Sequence, residues 1–111
     1  MVLGRLAALA VIIGMSTSAH ANDFVGWCFV GECVGEAPIT ADGFFTCEEN
    51  CTMSNPVRVI GMDATLYDVS CTGDSGNYQQ RMLFMKYSDF RGDPKALALS
   101  PSGPEELERC E

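Results

Sequence analysis

Histidine is nearly absent from this sequence, and the single one, His20, lies in an N-terminal segment that has the pattern of an export signal. Nucleophilic catalysis by a serine requires a general base beside the hydroxyl, and histidine is the usual base. Residues 73–76 read GDSG, the tetrapeptide that surrounds the nucleophile of chymotrypsin-like proteases. Because the rest of the chain holds no histidine, we interpret this tetrapeptide as a hairpin turn. No catalytic residue is predicted.

The sequence also lacks a C-x-x-C pair, so it has no thioredoxin-like redox motif. The spacings of Cys28 from Cys33 and of Cys47 from Cys51 leave a four-thiolate zinc site as an alternative. In an exported chain, however, such thiols are oxidised to disulfides. We therefore predict no metal site and no other cofactor.

Long hydrophobic runs are confined to the N-terminal segment, where Arg5 precedes an apolar run over residues 6–15. Residues 19–21 form the A-x-A pattern of a signal-peptide cleavage site. We predict a cleaved signal peptide over residues 1–21 and a single disulfide-stapled domain over residues 22–111. The apolar run is shorter than the roughly 20 residues of a membrane-spanning helix, so no membrane partner is expected after cleavage. The alanine-rich run favours the periplasm, and extracellular secretion is the alternative.

Basic side chains are few, since the sequence has 7 Lys and Arg residues against 15 Asp and Glu residues. Arg5 belongs to the predicted signal, so the chain from Asn22 onward has 15 acidic and 6 basic side chains, a net charge of −9. A field of this sign repels nucleic acid and steers cationic molecules toward the protein. We therefore predict a cationic exported protein as partner and no nucleic acid. Plain solubility of a small exported protein is the alternative explanation of the acidity.

Six cysteines follow the predicted signal in a chain too short to build a large core. A domain of this size buries only roughly 60–70% of its unfolded surface. Three disulfides, each contributing about 2–4 kcal/mol, are the expected compensation. Fifteen pairings are possible, and our hypothesis for one bond is Cys71 with Cys110. The cysteines are Cys28, Cys33, Cys47, Cys51, Cys71 and Cys110.

Two short stretches have helical patterns. Residues 46–49 read TCEE, the form of a capping box in which threonine and glutamate satisfy each other's backbone N–H groups. A short helix is therefore predicted to begin at Cys47 and to end before Pro56, because proline disfavours a helix at the residue before it. A second helical turn is predicted over residues 105–110.

Most of the remaining chain has the period of two that is typical of strands. A strand with a bulge at Gly61 is predicted over residues 57–71, and the alternative is a helix through Met62, Leu66 and Val69. Residues 72–77, TGDSGN, predict a hairpin turn. The strand after it, over residues 78–87, is apolar on both faces and should be central, and residues 95–99 predict one more strand. The predicted fold class is a small disulfide-rich β-rich (α+β) domain with antiparallel strands and one or two short helices.

The segment over residues 22–34 is rich in aromatic residues and contains the only tryptophan, Trp27. We predict that it forms a buried strand with Trp27 as a core anchor. An exposed partner-binding patch of Phe24, Trp27 and Phe29 is the alternative.

These observations predict a binding function and no enzyme activity. Carboxylates are plentiful, but no spacing singles out the acid and base pair that glycoside hydrolysis needs. We predict an acidic protein-binding module, such as an inhibitor of a basic exported enzyme like a lysozyme-like hydrolase. The alternative is a structural or accessory subunit of an exported complex. The predicted partner-binding residues are Glu48 and Glu49 on the short helix and Asp74 at the hairpin tip.

Overall fold

A computed structural model describes residues 22–31 and 37–110 of the chain. The predicted signal peptide over residues 1–21, Cys33 and Glu111 lie outside the described residues. The strands, in chain order, are β1 (Trp27–Phe29), β2 (Gly43–Phe45), β3 (Glu49–Arg58), β4 (Ala64–Gly73), β5 (Gly76–Ser88), β6 (Pro94–Ser100) and β7 (Gly103–Arg109).

The strands form one antiparallel sheet with the order β1-β7-β6-β5-β4-β3-β2. Each strand from β2 to β7 is the neighbour of the next, and β1 pairs with β7. The prediction that the strand after the hairpin is central is confirmed, because β5 is the middle strand. Its Met82 and Phe84 are buried in the core, whereas Leu83 and Met85 are half-buried on the other face.

The sheet curls around an aromatic core, so that its two edge strands meet. The ring centroids of Phe29 on β1 and Phe44 on β2 are 4.9 Å apart. Phe84, which is fully buried, lies 5.5 Å from Phe24 and 5.7 Å from Tyr67. Trp27 is also buried, which confirms the prediction of a core anchor. Burial of side chains of this size contributes about 1.5–3 kcal/mol each.

The segment before β2 holds the short edge strand β1 in place. The Ile39 N–H donates to the Trp27 carbonyl at 2.8 Å, and the Gly26 N–H donates to the Ile39 carbonyl at 3.0 Å. Beyond β7, the Cys110 N–H donates to the Gly26 carbonyl at 3.1 Å. The three-residue strand is thus bonded on both sides.

The described residues contain no helix, so the helix predicted to begin at Cys47 is wrong. Cys47 and Glu48 instead lie in the turn of the hairpin between β2 and β3, closed by a 2.9 Å hydrogen bond from the Thr46 N–H to the Glu49 carbonyl. The physical reason is that alternate residues of β3, Cys51 and Met53, are buried. Pairing with strands on both sides outweighs a local cap of about 1 kcal/mol.

The helical turn predicted over residues 105–110 is wrong for a similar reason. These residues fall in β7, apart from Cys110, and pair with β6 on one side and β1 on the other. Within this strand only Leu107 is buried. The sequence of β7 therefore does not show the alternation of apolar and polar residues that would identify a strand. Tertiary pairing therefore decides its conformation.

The strand predicted over residues 57–71 is two strands joined by a turn. The turn contains Gly61, whose φ of 89° favours glycine. The bulge lies earlier, between Ser54 and Val57, where Asn55 has a φ of 52°. Pro56 has no N–H to contribute to the ladder of hydrogen bonds. It is tolerated in this strand because it sits at that bulge, where the ladder is interrupted. The hairpin predicted at residues 72–77 is confirmed, with Gly73 opposite Gly76.

Two disulfides join described cysteines, and they overturn the hypothesis that Cys71 pairs with Cys110. Cys71 bonds to Cys51, its directly opposed residue on the neighbouring strand, with Cα atoms 4.0 Å apart. Cys110 bonds to Cys28 on β1, with Cα atoms 5.4 Å apart. Cys47 is also disulfide-bonded, and its partner lies outside the described residues.

The Cys28–Cys110 bond spans 82 residues and is expected to contribute about 4.5 kcal/mol by restricting the unfolded chain. Disulfides of this kind are consistent with an oxidising exported compartment. Within residues 22–31 and 37–110, no helix has the length and apolar character needed to cross a membrane.

The antiparallel order places the strand connections at two ends of the sheet. The acidic end, as we name it, carries the β2–β3 turn at residues 46–48, the β4–β5 turn at 74–75 and the β6–β7 turn at 101–102. The opposite end carries the β3–β4 turn at 59–63 and the β5–β6 turn at 89–93. The candidate site lies at the acidic end.

Candidate binding site at the acidic end

The three carboxylate residues predicted to contact a partner lie at the same end of the sheet. Glu49 is the first residue of β3 and pairs with Gly73, the last residue of β4. Glu48 precedes this pair in the β2–β3 turn, and Asp74 follows it at the tip of the β4–β5 hairpin. The helix that was expected to carry the two glutamates is absent, but the sheet brings the three residues together.

Gly73 allows the two hairpins to approach each other this closely. A Cβ atom at position 73 would collide with the backbone carbonyl oxygen of Glu48 and would lie 2.8 Å from Cγ of Glu49. Backbone atoms cannot move aside as the end of a flexible side chain can. Glycine therefore sets the distance between the Glu48–Glu49 segment and the hairpin tip.

Two side chains of the candidate site at this end were not predicted from the sequence. Tyr78 on β5 donates its hydroxyl hydrogen to Oε1 of Glu49 at 2.7 Å. Glu105 on β7 lies close enough for its charge to act on Tyr78. Glu105 was missed because residues 105–110 were predicted to be helical, and no local signal places β7 near β3.

The hydrogen bond to the Glu49 carboxylate is the main reason why the pKa of Tyr78 is raised above its usual value. Partial desolvation and the negative charges of Glu49 and Glu105 act in the same direction. The phenol therefore stays protonated at neutral pH and remains a donor. The bond holds one oxygen of the Glu49 carboxylate in a defined position.

A cavity of about 260 Å³ opens among these residues and extends toward the core. Its inner wall is formed by the buried rings of Phe29 and Phe44, by Met82 and by the Cys51–Cys71 disulfide, which offer only a small apolar area, whereas most of the accessible lining is polar. Among the described residues that line it, the charged ones are Glu49 and Glu105. The remaining lining residues are polar: Thr46, Tyr78, Gln80, Ser100 and Ser102.

Positive charge is concentrated away from the acidic end. Arg81 lies near the middle of β5 and pairs with Asp68 at 3.2 Å. The other described ion pairs are Arg58 with Asp23 and Lys95 with Asp89. In the part of the chain that the structure describes, no ion pair involves a carboxylate of the acidic end. The residues at or near the opposite end include Arg58, Lys86, Arg91, Lys95 and Arg109.

The same end contains three residues whose potential ligand atoms lie within 4.8 Å of one another, Glu49, Cys51 and Cys71. Both sulfur atoms belong to one disulfide. A disulfide has no thiolate to offer, and thiolates are what soft metal sites require. These residues therefore do not form a metal site.

A larger cavity, of about 430 Å³, lies around Asp68 and Arg81 near the bulge of β3. Its charges neutralise each other, because Asp68 accepts from Arg81 and also from the Asn55 amide at 2.8 Å. The Asn55 hydrogen bond is the main cause of a lowered pKa of Asp68. A site whose charged groups are already paired offers less to a ligand than the acidic end does.

The chain matches no known protein family model, no characterised protein and no solved structure. Function is therefore inferred from chemistry. The acidic end combines carboxylates that form no ion pair with any described residue with a small cavity beside the hairpin turns. Such a surface is suited to binding a cation.

Proposed function

We propose that this chain is an exported protein-binding module that captures a basic exported protein through its acidic end. The single observation that carries the proposal is that the described part of the acidic end has carboxylates and no basic side chain among them. Glu48, Glu49, Asp74 and Glu105 lie at this end, and the six basic side chains described lie in the middle or toward the other end, where they are mixed with carboxylates such as Asp63, Asp89 and Asp93. An inhibitor of a basic enzyme, such as a lysozyme-like hydrolase, is the form of this function that we favour.

Two physical effects support capture of a basic partner. Complementary charge raises the association rate by steering the encounter. Disulfides and strand pairing hold the acidic turns in position, so little conformational freedom is lost on binding. The expected result is fast association whose specificity depends on charge.

A second candidate function is that of a structural or accessory subunit, and the outer face of the sheet favours it. Register places one apolar residue from each of five neighbouring strands in a row, with Val57 and Leu99 largely exposed. Contiguous exposed apolar residues mark interaction surfaces. The row is Val57, Leu66, Leu83, Leu99 and Pro104.

The test is retention of a basic lysozyme on the immobilised chain from Asn22 onward, followed by association rates at low and physiological salt. We expect retention, and an association rate that falls at least several-fold at physiological salt, where charges more than about 8 Å apart are screened. No retention, or a rate indifferent to salt, would refute the proposal. Co-purification from the producing cell in fixed stoichiometry with a larger complex would favour the second candidate.

A further inference from the structure

We propose that the cavity at the acidic end is a site for one alkyl ammonium or alkyl guanidinium group, supplied by a lysine or arginine side chain of the partner. This inference rests on the proposed function, because it names what the partner inserts. It is carried by three features of the cavity: its size, its inner wall and the sign of its charged rim.

The size fits one long side chain. Pockets for drug-sized ligands have volumes of about 300–1,000 Å³, and this cavity has about 260 Å³. A single extended side chain that enters from the solvent needs less space than a compact organic ligand. The volume therefore favours one residue of a docked protein over a larger independent ligand.

The inner wall fits the aliphatic part of such a side chain. Phe29, Phe44 and Met82 are each at most 5% exposed, so they present only a small area of carbon and sulfur atoms to the cavity. Lysine and arginine pack their methylene groups against apolar surface while the charged head stays near water. The inner wall thus gives the stem of the side chain a small area of apolar contact.

The rim fits the charged head. Of the charged residues in the described part of the chain, Glu49 and Glu105 line the cavity, and both are acidic. Tyr78 occupies Oε1 of Glu49, and no hydrogen bond from a described residue occupies Oε2, which can therefore accept from a cation. Charge-assisted hydrogen bonds of this kind are about twice as strong as neutral ones. Tyr78 acts as a positioning residue, because it orients the carboxylate that would contact the cation.

An anionic or neutral occupant is disfavoured by the same residues. Among the described lining residues, a carboxylate or phosphate would meet two negative charges and no basic side chain. A neutral alcohol of equal length would make the same contact with the inner wall of the cavity but would leave the carboxylates without a charged partner. The property to measure is therefore the difference in binding between a cationic, a neutral and an anionic ligand of similar shape.

The test uses the chain from Asn22 onward and three probes of similar shape: butylguanidinium, 1-butanol and butyrate. Binding is followed by NMR, from the shifts of the Met82 methyl group and the rings of Phe29 and Phe44. We expect saturable shifts with butylguanidinium at concentrations on the order of millimolar, and at least fivefold weaker effects with the other probes. Equal shifts with 1-butanol, or shifts located elsewhere, would overturn the inference.

Two variants and one control assign the cation contact. Glu49→Gln and Glu105→Gln keep the side-chain shape and are each expected to weaken butylguanidinium binding at least threefold. Glu108→Gln removes the same charge from an exposed position near the opposite end and should leave binding unchanged. Thermal unfolding of each variant checks that the fold is intact. An equal loss in all three variants would show a general charge effect and would contradict a specific contact.

Competition separates failure of this inference from failure of the proposed function. If a basic lysozyme is retained but saturating butylguanidinium does not slow its association, the cavity is not the contact and this inference alone fails. If butylguanidinium binds the cavity but no basic protein is retained, the proposed function fails and a free amine replaces the partner as the source of the cation. Binding with competition supports both.

Discussion

The Tyr78 hydroxyl donates a 2.7 Å hydrogen bond to Glu49, which joins the middle strand of the sheet to the beginning of β3. β4 lies between these two strands, so the bond spans a neighbouring strand at the acidic end. It keeps a carboxylate fixed at the edge of the cavity and keeps the phenol protonated. A measurable consequence is the titration of Tyr78.

Glu49→Gln is expected to lower the pKa of Tyr78 toward its usual value. The hydrogen bond to the carboxylate is the largest cause of the raised pKa, and the charge of Glu49 is a further one. Both disappear in this variant, whereas Glu105→Gln removes only a weaker charge effect and should lower the pKa less. Titration by NMR of labelled tyrosine, assigned with Tyr78→Phe, measures both shifts. An unchanged pKa in Glu49→Gln would show that the bond does not form in solution.

The disulfide pattern is the second expected outcome. Peptide mapping without reduction should yield one peptide pair that contains Cys28 with Cys110 and another that contains Cys51 with Cys71. Cys47 is bonded as well, and because Cys33 is the cysteine that remains, we expect it in the third pair. A peptide linking Cys71 to Cys110, or a free thiol in the native protein, would contradict this pattern.

The cysteine pairing shows what local sequence leaves undetermined. The bond between Cys51 and Cys71 depends on β3 and β4 being neighbours in one register. That register was hidden because residues 57–71 were interpreted as one strand, with a bulge where the structure has a turn. A turn at Gly61 would have brought the two cysteines opposite each other, since both lie on the buried face.

The elements with strong local signals were predicted correctly. The turn residues 72–77, the two apolar faces of β5 and the alternation in β6 each reflect an environment that the residues themselves require. The helix at Cys47 failed because pairing of β3 with strands on both sides outweighs a local cap. Glu105 was missed for a separate reason, since residues 105–110 were predicted to be helical. Glu48 and Glu49 were chosen for their charge and their place on the predicted helix, and Asp74 for its place at the hairpin tip.

Gly73→Ala is expected to destabilise the fold by about 1–3 kcal/mol, in the range of overpacking substitutions. The added methyl group would meet the Glu48 carbonyl oxygen, and the two hairpins would have to separate. Denaturant unfolding measures the change in the free energy of unfolding. Ser75→Ala, an exposed substitution in the neighbouring turn, is the control and should change stability by no more than about 0.5 kcal/mol. A neutral effect of Gly73→Ala would mean that the two hairpins are not in close contact.

The last prediction concerns where on the molecule the acidity acts. Two triple variants remove the same number of negative charges from opposite ends of the sheet. One is Glu48→Gln with Glu49→Gln and Asp74→Asn at the acidic end. The other is Asp63→Asn with Asp93→Asn and Glu108→Gln at or near the opposite end, where these side chains are exposed.

For a basic lysozyme, the acidic-end variant is expected to associate about tenfold more slowly at low salt, within the range of electrostatic steering effects. The opposite-end variant should associate no more than about twofold more slowly, because its lost charges lie far from the contact and are screened. Stopped-flow measurements at several salt concentrations give both rates, and the slope against salt should become shallower only in the acidic-end variant. Equal effects in the two variants would show that net charge alone attracts the partner, and the acidic end would then have no special role in binding.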